Sequence, residues 1–275
     1  MNIELHNSYK KSSFSPAFLF LEKNQREALA IYYSFCRLMD DLVDEPDISN
    51  REEQLLFWQA EIERVYENRA ITQLGKDLQK IVFKFGVSSD RFLWLIEGML
   101  ADVRGRHYSV RADFEWYLWR VAGVVGLATL DILGMKGSSA DELAQALGFA
   151  VQVTNVIRDV YEDAKIGRVY LPDDLLRKFD LTREDVLHNA HHERMERLLE
   201  FLAQACKQDY EHAYKIMDTF PPRQIFPCRV MALVYRANLA KIEKTKFKFK
   251  KSVRLSKLEK AKYIIYALYK NYTLD

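Results

Sequence analysis

The sequence predicts an all-α protein, and three observations support this prediction. Apolar residues recur at helical spacing along almost the whole chain. Its 275 residues include only 10 glycines and 6 prolines, the residues that interrupt helices most strongly. Neither a strand series nor a glycine-rich phosphate loop is evident, and the short alternation at 246–250 is the only strand-like stretch.

Each helix is placed by its apolar periodicity and by the residues at its ends. Pro46 stops the first helix, and Ser88 and Ser89 cap the fourth. Asp113 begins the fifth helix and Gly134 ends it. The predicted helices cover residues 24–43, 51–67, 70–85, 89–105, 113–134, 139–164, 172–178, 182–187, 191–218, 222–242 and 255–271, and they form one domain, residues 1–275, without repeats or linkers.

Composition and cysteine content indicate a globular cytoplasmic protein. Hydrophobic residues make up 49% of the chain, and the net charge of +2 gives no indication of a nucleic acid partner. The three cysteines fit neither a disulfide framework nor a zinc site, which favours a reducing compartment. The N-terminus lacks the pattern of a secretory signal. The longest apolar stretch, from Val121, is too short for a membrane span and contains Asp131, so we expect a buried helix.

An acidic cluster ends the first helix, although the preceding residues 28–36 are apolar almost all round, as in a core helix. Asp40 and Asp44 are four residues apart and therefore share one helix face, together with Arg37. Asp41 is rotated by ~100° from Asp40 and is the weaker candidate. Because buried carboxylates require partners, something must compensate these charges.

A second acidic cluster, at residues 152–163, repeats this spacing. Gln152, Asn155, Asp159 and Asp163 form one polar stripe along a helix whose other faces are apolar. A polar stripe on an otherwise buried helix indicates an internal cavity. We therefore expect the two clusters to face each other across that cavity.

Oxygen ligands on two facing helices suit Mg²⁺, which is often shared with substrate phosphates. Arg37, Arg158 and Arg168 would contact phosphate oxygens, because guanidinium groups bind phosphate bidentately. The predicted chemistry is ionisation of an allylic diphosphate, in which Mg²⁺ stabilises the leaving group and apolar walls exclude water from the carbocation. Both clusters therefore offer carboxylate or amide oxygens as candidate ligands.

These motifs resemble those of the squalene/phytoene synthase family, the head-to-head prenyl synthases. Five motifs occur in the family's order and span nearly the whole chain, which makes the resemblance specific. They are "SSFSPAFLFL" (12–21), "YYSFCRLMDDLVDE" (32–45), "VAGVVG" (121–126), "QVTNVIRDVYEDAKIGRVYLP" (152–172) and "PCRVMALVYRANL" (227–239).

The resemblance implies an isoprenoid synthase fold, a single all-α domain with helices around a central cavity. It implies a prenyltransferase of the farnesyl-diphosphate farnesyltransferase type that binds prenyl diphosphates and Mg²⁺. The implied metal ligands are Asp40, Asp44, Asn155, Asp159 and Asp163. Phe14 and Phe18 would line the tunnel for the prenyl chain. The implied catalytic residues are Tyr33, Arg37, Asp40, Asp44, Asp159 and Asp163, and the implied substrate contacts are Ser13, Phe14, Phe18, Gln152, Arg158, Arg168, Tyr170 and Tyr235.

The implied reaction couples two C15 or two C20 prenyl diphosphates. Phe18 is large where phytoene synthases tend to carry a small residue, which favours farnesyl diphosphate and a presqualene diphosphate synthase of the bacterial hopanoid type. Further conversion to squalene or dehydrosqualene, with or without NADPH, stays open, and the absence of a dinucleotide fingerprint is uninformative in this family. The alternatives are a phytoene synthase using geranylgeranyl diphosphate, a prenyl diphosphate phosphatase and a non-catalytic assembly factor of the same fold.

Two positions depart from the family pattern. A family tyrosine that assists the later steps is replaced by Trp119, with Tyr117 two residues earlier. The family's basic residue after the C-terminal helix falls at Ser252, with Arg254 and two lysines, Lys250 and Lys251, close by.

The region 241–262 is rich in lysine. Either it is an ordinary solvated surface or it binds peripherally to an anionic membrane, with Phe247 and Phe249 inserted as apolar anchors.

Overall fold

Helices make up most of the described chain, as the apolar periodicity predicts. This computed structural model describes residues 21–45, 47–249 and 251–272. Those ranges contain no β-strand, so the all-α prediction is confirmed for them. The helices are α1 (Lys23–Asp44), α2 (Arg51–Tyr66), α3 (Gln73–Phe85), α4 (Asp90–Val103), α5 (Arg111–Leu118), α6 (Val124–Leu133), α7 (Ser138–Lys165), α8 (Asp173–Lys178), α9 (Arg183–Leu187), α10 (His192–Met217), α11 (Pro222–Glu243) and α12 (Lys257–Tyr272).

Helix α7 is central to the packing because apolar side chains such as Leu143, Val156 and Ile157 are buried along its length. It packs against α5, α6, α9, α10 and α11. Helix α1 packs against α2, α3, α4 and α6. Helix α6 therefore contacts both α1 and α7, the two helices that carry the acidic clusters.

The predicted helix 113–134 is wrong in one respect, because a π-helical segment, Trp119–Gly123, separates α5 from α6. Its backbone lies against α7: a Cβ added at Gly148 would lie 3.0 Å from backbone atoms of Ala122 and Gly123. A glycine at this position therefore permits close packing, and Ala122 lines the central cavity.

Two predicted helix starts also need correction. Asp113 lies inside α5 rather than ahead of it, where its Oδ2 accepts hydrogen bonds from the backbone N–H groups of Ser109 and Val110 at 3.0 and 3.2 Å. Ser89 precedes α4, but its side chain makes no capping hydrogen bond. Gly134 ends α6 with a φ of 81°, as predicted. Pro46 lies outside the described residues.

By length and composition, Arg111–Leu133 could cross a membrane. However, 56% of its apolar window is buried within the fold, and core helices of soluble proteins pass the same test. Asp131 is buried there, and its Oδ2 lies 3.3 Å from Nε of Arg91.

Helix α11 is apolar on two sides because it separates two cores. Its inner residues, including Pro227 and Cys228, line the central cavity. On its outer side, Phe226, Val230 and Val234 form a second, smaller core with residues of α12. Pro227 lies in the helix interior, where it lacks the N–H that would continue the hydrogen-bond ladder.

Candidate active site

A cavity of about 530 Å³ lies between α1 and α7. Helices α4, α6 and α11 complete its wall together with the π segment. Aspartates line one end, and the rest of the wall is mostly apolar. The apolar part follows α7 from Asn155 back to Leu143, a rise of about 18 Å at 1.5 Å per residue. Its other apolar residues include Leu29, Leu95, Met99, Val125, Leu130, Leu147, Val151 and Met231.

Helix α1 presents Tyr33, Asp40 and Asp44 to the cavity. Arg37 does not share this face as predicted: its guanidinium lies 2.6 Å from Oδ1 of Asp41, and neither residue lines the cavity. An i,i+4 ion pair on the outer side of α1 accounts for this placement. A catalytic role for Arg37 stays a prediction.

Helix α7 presents its predicted polar stripe to the same cavity, so Gln152, Asn155, Asp159 and Asp163 all line it. Asn155 Nδ2 donates to Gln152 Oε1 at 3.1 Å, while the buried Asn155 Oδ1 has no hydrogen-bond partner among the described residues. A buried carbonyl oxygen without a partner costs free energy, which a bound cation would offset.

Cationic and hydroxyl groups surround Asp159. Arg158 Nε lies 2.9 and 3.0 Å from its two carboxylate oxygens, and Ser252 Oγ donates to Oδ1 at 2.6 Å. Arg254 also reaches Oδ1, at 3.3 Å. Although burial opposes it, the hydrogen bonds from Arg158 hold the pKa of Asp159 below its ordinary value. Ser252 stands where family members carry a basic residue. Arg254, two residues later, contacts the same carboxylate oxygen and supplies a positive charge there.

Arg168 joins the two acidic clusters. It follows α7, and its guanidinium donates to Asp44 Oδ1 at 2.7 Å and to the Val43 carbonyl at 3.2 Å. Because Asp44 belongs to α1, this ion pair spans the acidic end of the cavity. The two predicted stripes do face each other.

Asp40 and Asp163 are close to other carboxylates. Burial and the charge of Asp44 raise the pKa of Asp40 to about 7, although Arg37 opposes the shift. Burial and the charge of Asp159 raise the pKa of Asp163 to about 7. Carboxylates with raised pKa values in one cleft are typical of a functional site that binds positive charge.

Asp102 and Tyr117 also line the cavity, and the sequence did not identify Asp102 as a site residue. Tyr117 donates a hydrogen bond to Asp102 Oδ2 at 3.0 Å. Asp102 lacks a second acid four residues away in the sequence, the spacing that identified the other clusters. The available sign was its position at the end of an otherwise largely apolar helix.

No group of three or more His, Cys, Asp or Glu side chains in the described ranges is already arranged to hold a metal ion. The donor set nevertheless fits Mg²⁺, since the cavity offers carboxylate oxygens on both helices and the unpartnered Oδ1 of Asn155. Asp40 and Asp163, with raised pKa values, would gain compensation from a cation.

The remaining predicted residues differ in placement. Tyr170 and Tyr235 line the cavity, as does Arg158. Ser13, Phe14 and Phe18 lie outside the described residues.

The predicted membrane anchors in the lysine-rich region are wrong. Phe247 and Phe249 are buried, at 6% and 9% exposure, and the ring of Phe249 packs edge-on against Tyr161. Neither ring is available to insert into a bilayer. Association of the lysines with an anionic surface stays a prediction.

An all-α fold whose acid-bearing helices face each other over an apolar cavity is the arrangement of the isoprenoid synthases. The sequence profile of the squalene/phytoene synthase family matches residues 8–259. The chain belongs to the squalene/phytoene synthase family, whose members are prenyltransferases that condense their substrates head to head.

Sequence relatives include two kinds of enzyme. The chain is 34% identical over 226 residues to a presqualene diphosphate synthase of Rhodopseudomonas palustris, covering 82% of this chain and 81% of the relative. It is 31% identical over 250 residues to phytoene synthase 1 of Arabidopsis thaliana, covering 88% of this chain but only 59% of that longer protein.

Solved structures agree on the fold. Squalene synthase HpnC from Alicyclobacillus acidocaldarius superposes with a TM-score of 0.81 at 27% identity, over 89% of this chain and 92% of that one. A dehydrosqualene synthase determined with a ligand gives a TM-score of 0.84 at 24% identity, over 98% and 96% of the two chains.

Proposed function

We propose that this protein catalyses the Mg²⁺-dependent head-to-head condensation of two molecules of farnesyl diphosphate to presqualene diphosphate. The observation that carries the proposal is the pair of acidic faces on α1 and α7, joined by Arg168 and Asp44 at one end of an apolar cavity. Presqualene diphosphate synthases among the relatives support the C15 substrate.

The residues that would hold Mg²⁺ are on both helices. Bound Mg²⁺ would neutralise the charge that develops on the departing diphosphate. Arg158, Arg168 and Arg254 lie among the acids, where their guanidinium groups can also bind phosphate oxygens. The proposed ligands are Asp40, Asp44, Asn155, Asp159 and Asp163.

The apolar walls protect the carbocation that ionisation leaves behind. Side chains such as Leu95, Val125 and Leu147 offer no nucleophile, and they limit the water that reaches the prenyl chain. Tyr33 and Tyr235 line the same cavity and would position the substrates. The acidic end would bind the diphosphates, while the apolar length would accept the chains.

The direct experiment is incubation of the protein with Mg²⁺ and either farnesyl or geranylgeranyl diphosphate, followed by extraction and product identification. We expect presqualene diphosphate from the C15 substrate and no turnover with EDTA. Phytoene from the C20 substrate would instead select phytoene synthase, the second candidate, which the 31% identity to plant enzymes supports. A free prenol would indicate a phosphatase, and no turnover of either substrate would indicate a non-catalytic assembly factor.

Chain-length preference offers a second prediction. Leu143 is 1% exposed and lines the apolar part of the cavity, far along α7 from Asp163. Leu143→Ala should lengthen the space for a prenyl chain and raise the kcat/KM ratio of the C20 to the C15 substrate about tenfold. Leu198→Ala is the matched control, because Leu198 is 0% exposed on α10 but does not line the cavity. Both variants should lose about 2–4 kcal/mol of stability, and an equal ratio in both would contradict the prediction.

A further inference from the structure

Asn238 is a buried polar residue of α11 that lies outside the proposed metal site. It is 6% exposed and lies among buried apolar residues of the helix. Because a buried amide without hydrogen-bond partners costs free energy, its partners indicate its role. Ser34 and Thr154, two other buried polar side chains, donate to carbonyls of their own helices. Asn238 instead reaches the connecting segment, residues 251–256, which precedes α12.

Both ends of the Asn238 amide are hydrogen-bonded to this connecting segment. Nδ2 donates to the Val253 carbonyl at 3.2 Å, and Oδ1 accepts from the Leu255 N–H at 2.9 Å. These two peptide groups flank Arg254, so one side chain holds the backbone on both sides of it. Two bonds from one planar amide therefore fix the direction in which the Arg254 side chain leaves the backbone.

Packing and an ion pair hold the end of the connecting segment. Leu255 is 7% exposed in the second core that α11 forms with α12. The Ser256 N–H donates to Glu259 Oε2 at 2.7 Å, and Lys241 of α11 lies 2.8 Å from the same oxygen. The segment is therefore attached to α11 at two points, through Asn238 and, further along, through Lys241.

Arg254 extends from the connecting segment to the acidic end of the cavity. Its guanidinium lies 3.3 Å from Asp159 Oδ1, although its side chain is 61% exposed. An exposed arginine has many rotamers, so a fixed backbone limits the positions that its guanidinium can reach. Asn238 itself does not line the cavity. Any effect of Asn238 on a ligand bound there must therefore pass through the segment that it holds.

We propose that Asn238 is a positioning residue that directs the Arg254 guanidinium toward a diphosphate bound at the acidic end of the cavity. The inference rests on the diphosphate site of the proposed function and assigns one of its supports. A guanidinium that is already oriented loses less conformational freedom when it binds phosphate oxygens. Without Asn238, the same arginine would be present but less often in place.

The test measures binding of inorganic diphosphate in the presence of Mg²⁺ by titration calorimetry, so that it requires no turnover. Asn238→Leu, which keeps the approximate size of the side chain but makes neither hydrogen bond, should raise the Kd about tenfold. Arg254→Met should also raise it about tenfold. In the double variant, Asn238→Leu should add less than about twofold, because its effect passes through an arginine that is absent. A purely structural defect would add its full effect in both backgrounds.

Glu61→Gln is the matched control. Glu61 is 0% exposed, and its Oε1 accepts hydrogen bonds from the N–H groups of Ile71 and Thr72, so it holds the turn before α3 as Asn238 holds the connecting segment. It does not line the cavity. The change should lower the Tm, because it removes a buried charge that these donors stabilise, and should leave the diphosphate Kd within about twofold of wild type.

A second variant covers the possibility that Asn238→Leu does not fold. Serine fits the buried position and can satisfy only one of the two peptide groups at a time. Asn238→Ser should therefore raise the Kd about threefold, and only while Arg254 is present.

Three outcomes would overturn the inference. An unchanged Kd in folded Asn238→Leu would separate the attachment from diphosphate binding. Wild-type affinity in Arg254→Met would remove Arg254 from the site. Fully additive effects in the double variant would mean that Asn238 acts by another route. If the wild type binds Mg²⁺ and diphosphate and the variants show the expected pattern, yet farnesyl diphosphate gives no condensation product, the proposed function fails while the role of Asn238 stands.

Discussion

Asp40→Asn is expected to lower kcat/KM by about 10²–10³-fold while the protein stays folded. The change removes one of the proposed oxygen ligands at the site where negative charge develops on the departing diphosphate. Asparagine keeps the size and shape of the side chain, so the cavity geometry should persist. Steady-state kinetics at saturating Mg²⁺ would measure the loss.

The same variant should be slightly more stable than the wild type when metal is absent. The raised pKa of Asp40 means that its ionised form is unfavourable in the folded protein, chiefly through burial and the nearby Asp44. Asp40 is open to water in the cavity, which screens its charge, so we expect a gain of only about 1 kcal/mol at pH 8. Urea denaturation with EDTA present would measure it.

Asp41→Asn is the control for both measurements. Asp41 neighbours Asp40 on α1 but does not line the cavity. It pairs with Arg37 outside the cavity. We expect its kcat/KM to stay within a few-fold of the wild type. Equal activity of Asp40→Asn and Asp41→Asn would refute the assignment of Asp40 to the metal site.

The second large effect is an unusual dependence of stability on pH. Asp40, Asp102 and Asp163 all have pKa values raised from 3.8, to about 7, 6 and 7 respectively. The folded state therefore binds protons more tightly than the unfolded state between about pH 4 and 7. Because ΔG of unfolding falls with pH wherever the folded state binds more protons, the metal-free protein should lose stability across this window.

The expected loss is about 2 kcal/mol between pH 5 and pH 7.5, which allows for screening by water in the cavity. Asp131 and Asp209 also have pKa values raised mainly by burial, so they act in the same direction. The lowered pKa of Asp159 acts the opposite way, with an effect confined to more acidic pH. Urea denaturation in EDTA at several pH values would measure the slope.

Asp163→Asn should flatten this slope, and its comparison with Asp185→Asn supplies the control. Asp185 accepts hydrogen bonds from Thr182, chiefly from its side chain, and these hold its pKa below the ordinary value, so its stability contribution is lost only at lower pH. Mg²⁺ with inorganic diphosphate should stabilise the wild type more at pH 7.5 than at pH 5. Stability that rises from pH 5 to 7.5 without metal would contradict the assigned shifts.

Helix positions and the two acidic stripes could be predicted from the sequence because both depend on local periodicity. Four-residue spacing places Asp40 with Asp44 and Asp159 with Asp163, whatever the tertiary structure. That the stripes share a cavity also follows, since each interrupts an otherwise buried helix. The Arg168–Asp44 contact is long-range, and only the fold reveals it.

The sequence-based predictions failed in two situations. In one, the local spacing allowed two ion-pair partners, and in the other a site residue belonged to no spacing pattern. Arg37 lies one turn from both Asp40 and Asp41, and the structure selects the i+4 partner. Asp102 has no second acid four residues away in the sequence, so only its position in the cavity wall identifies it as a site residue.

The C-terminal phenylalanines were misplaced for a different reason. Their alternation with lysines at 246–250 is typical of an extended backbone. Lys246 and Phe247 instead have φ values of 54° and 59°, in a turn that buries both aromatic rings. A non-glycine pair in this conformation has no clear sequence signature.

The two-sided burial of α11 sets a limit on how the chain can be shortened. The family profile ends at residue 259, three residues into α12, although α12 supplies no cavity residue. A fragment ending there would expose Phe226, Val230 and Val234, and this exposed apolar surface would favour self-association. The folding unit therefore extends beyond the segment that the family profile matches.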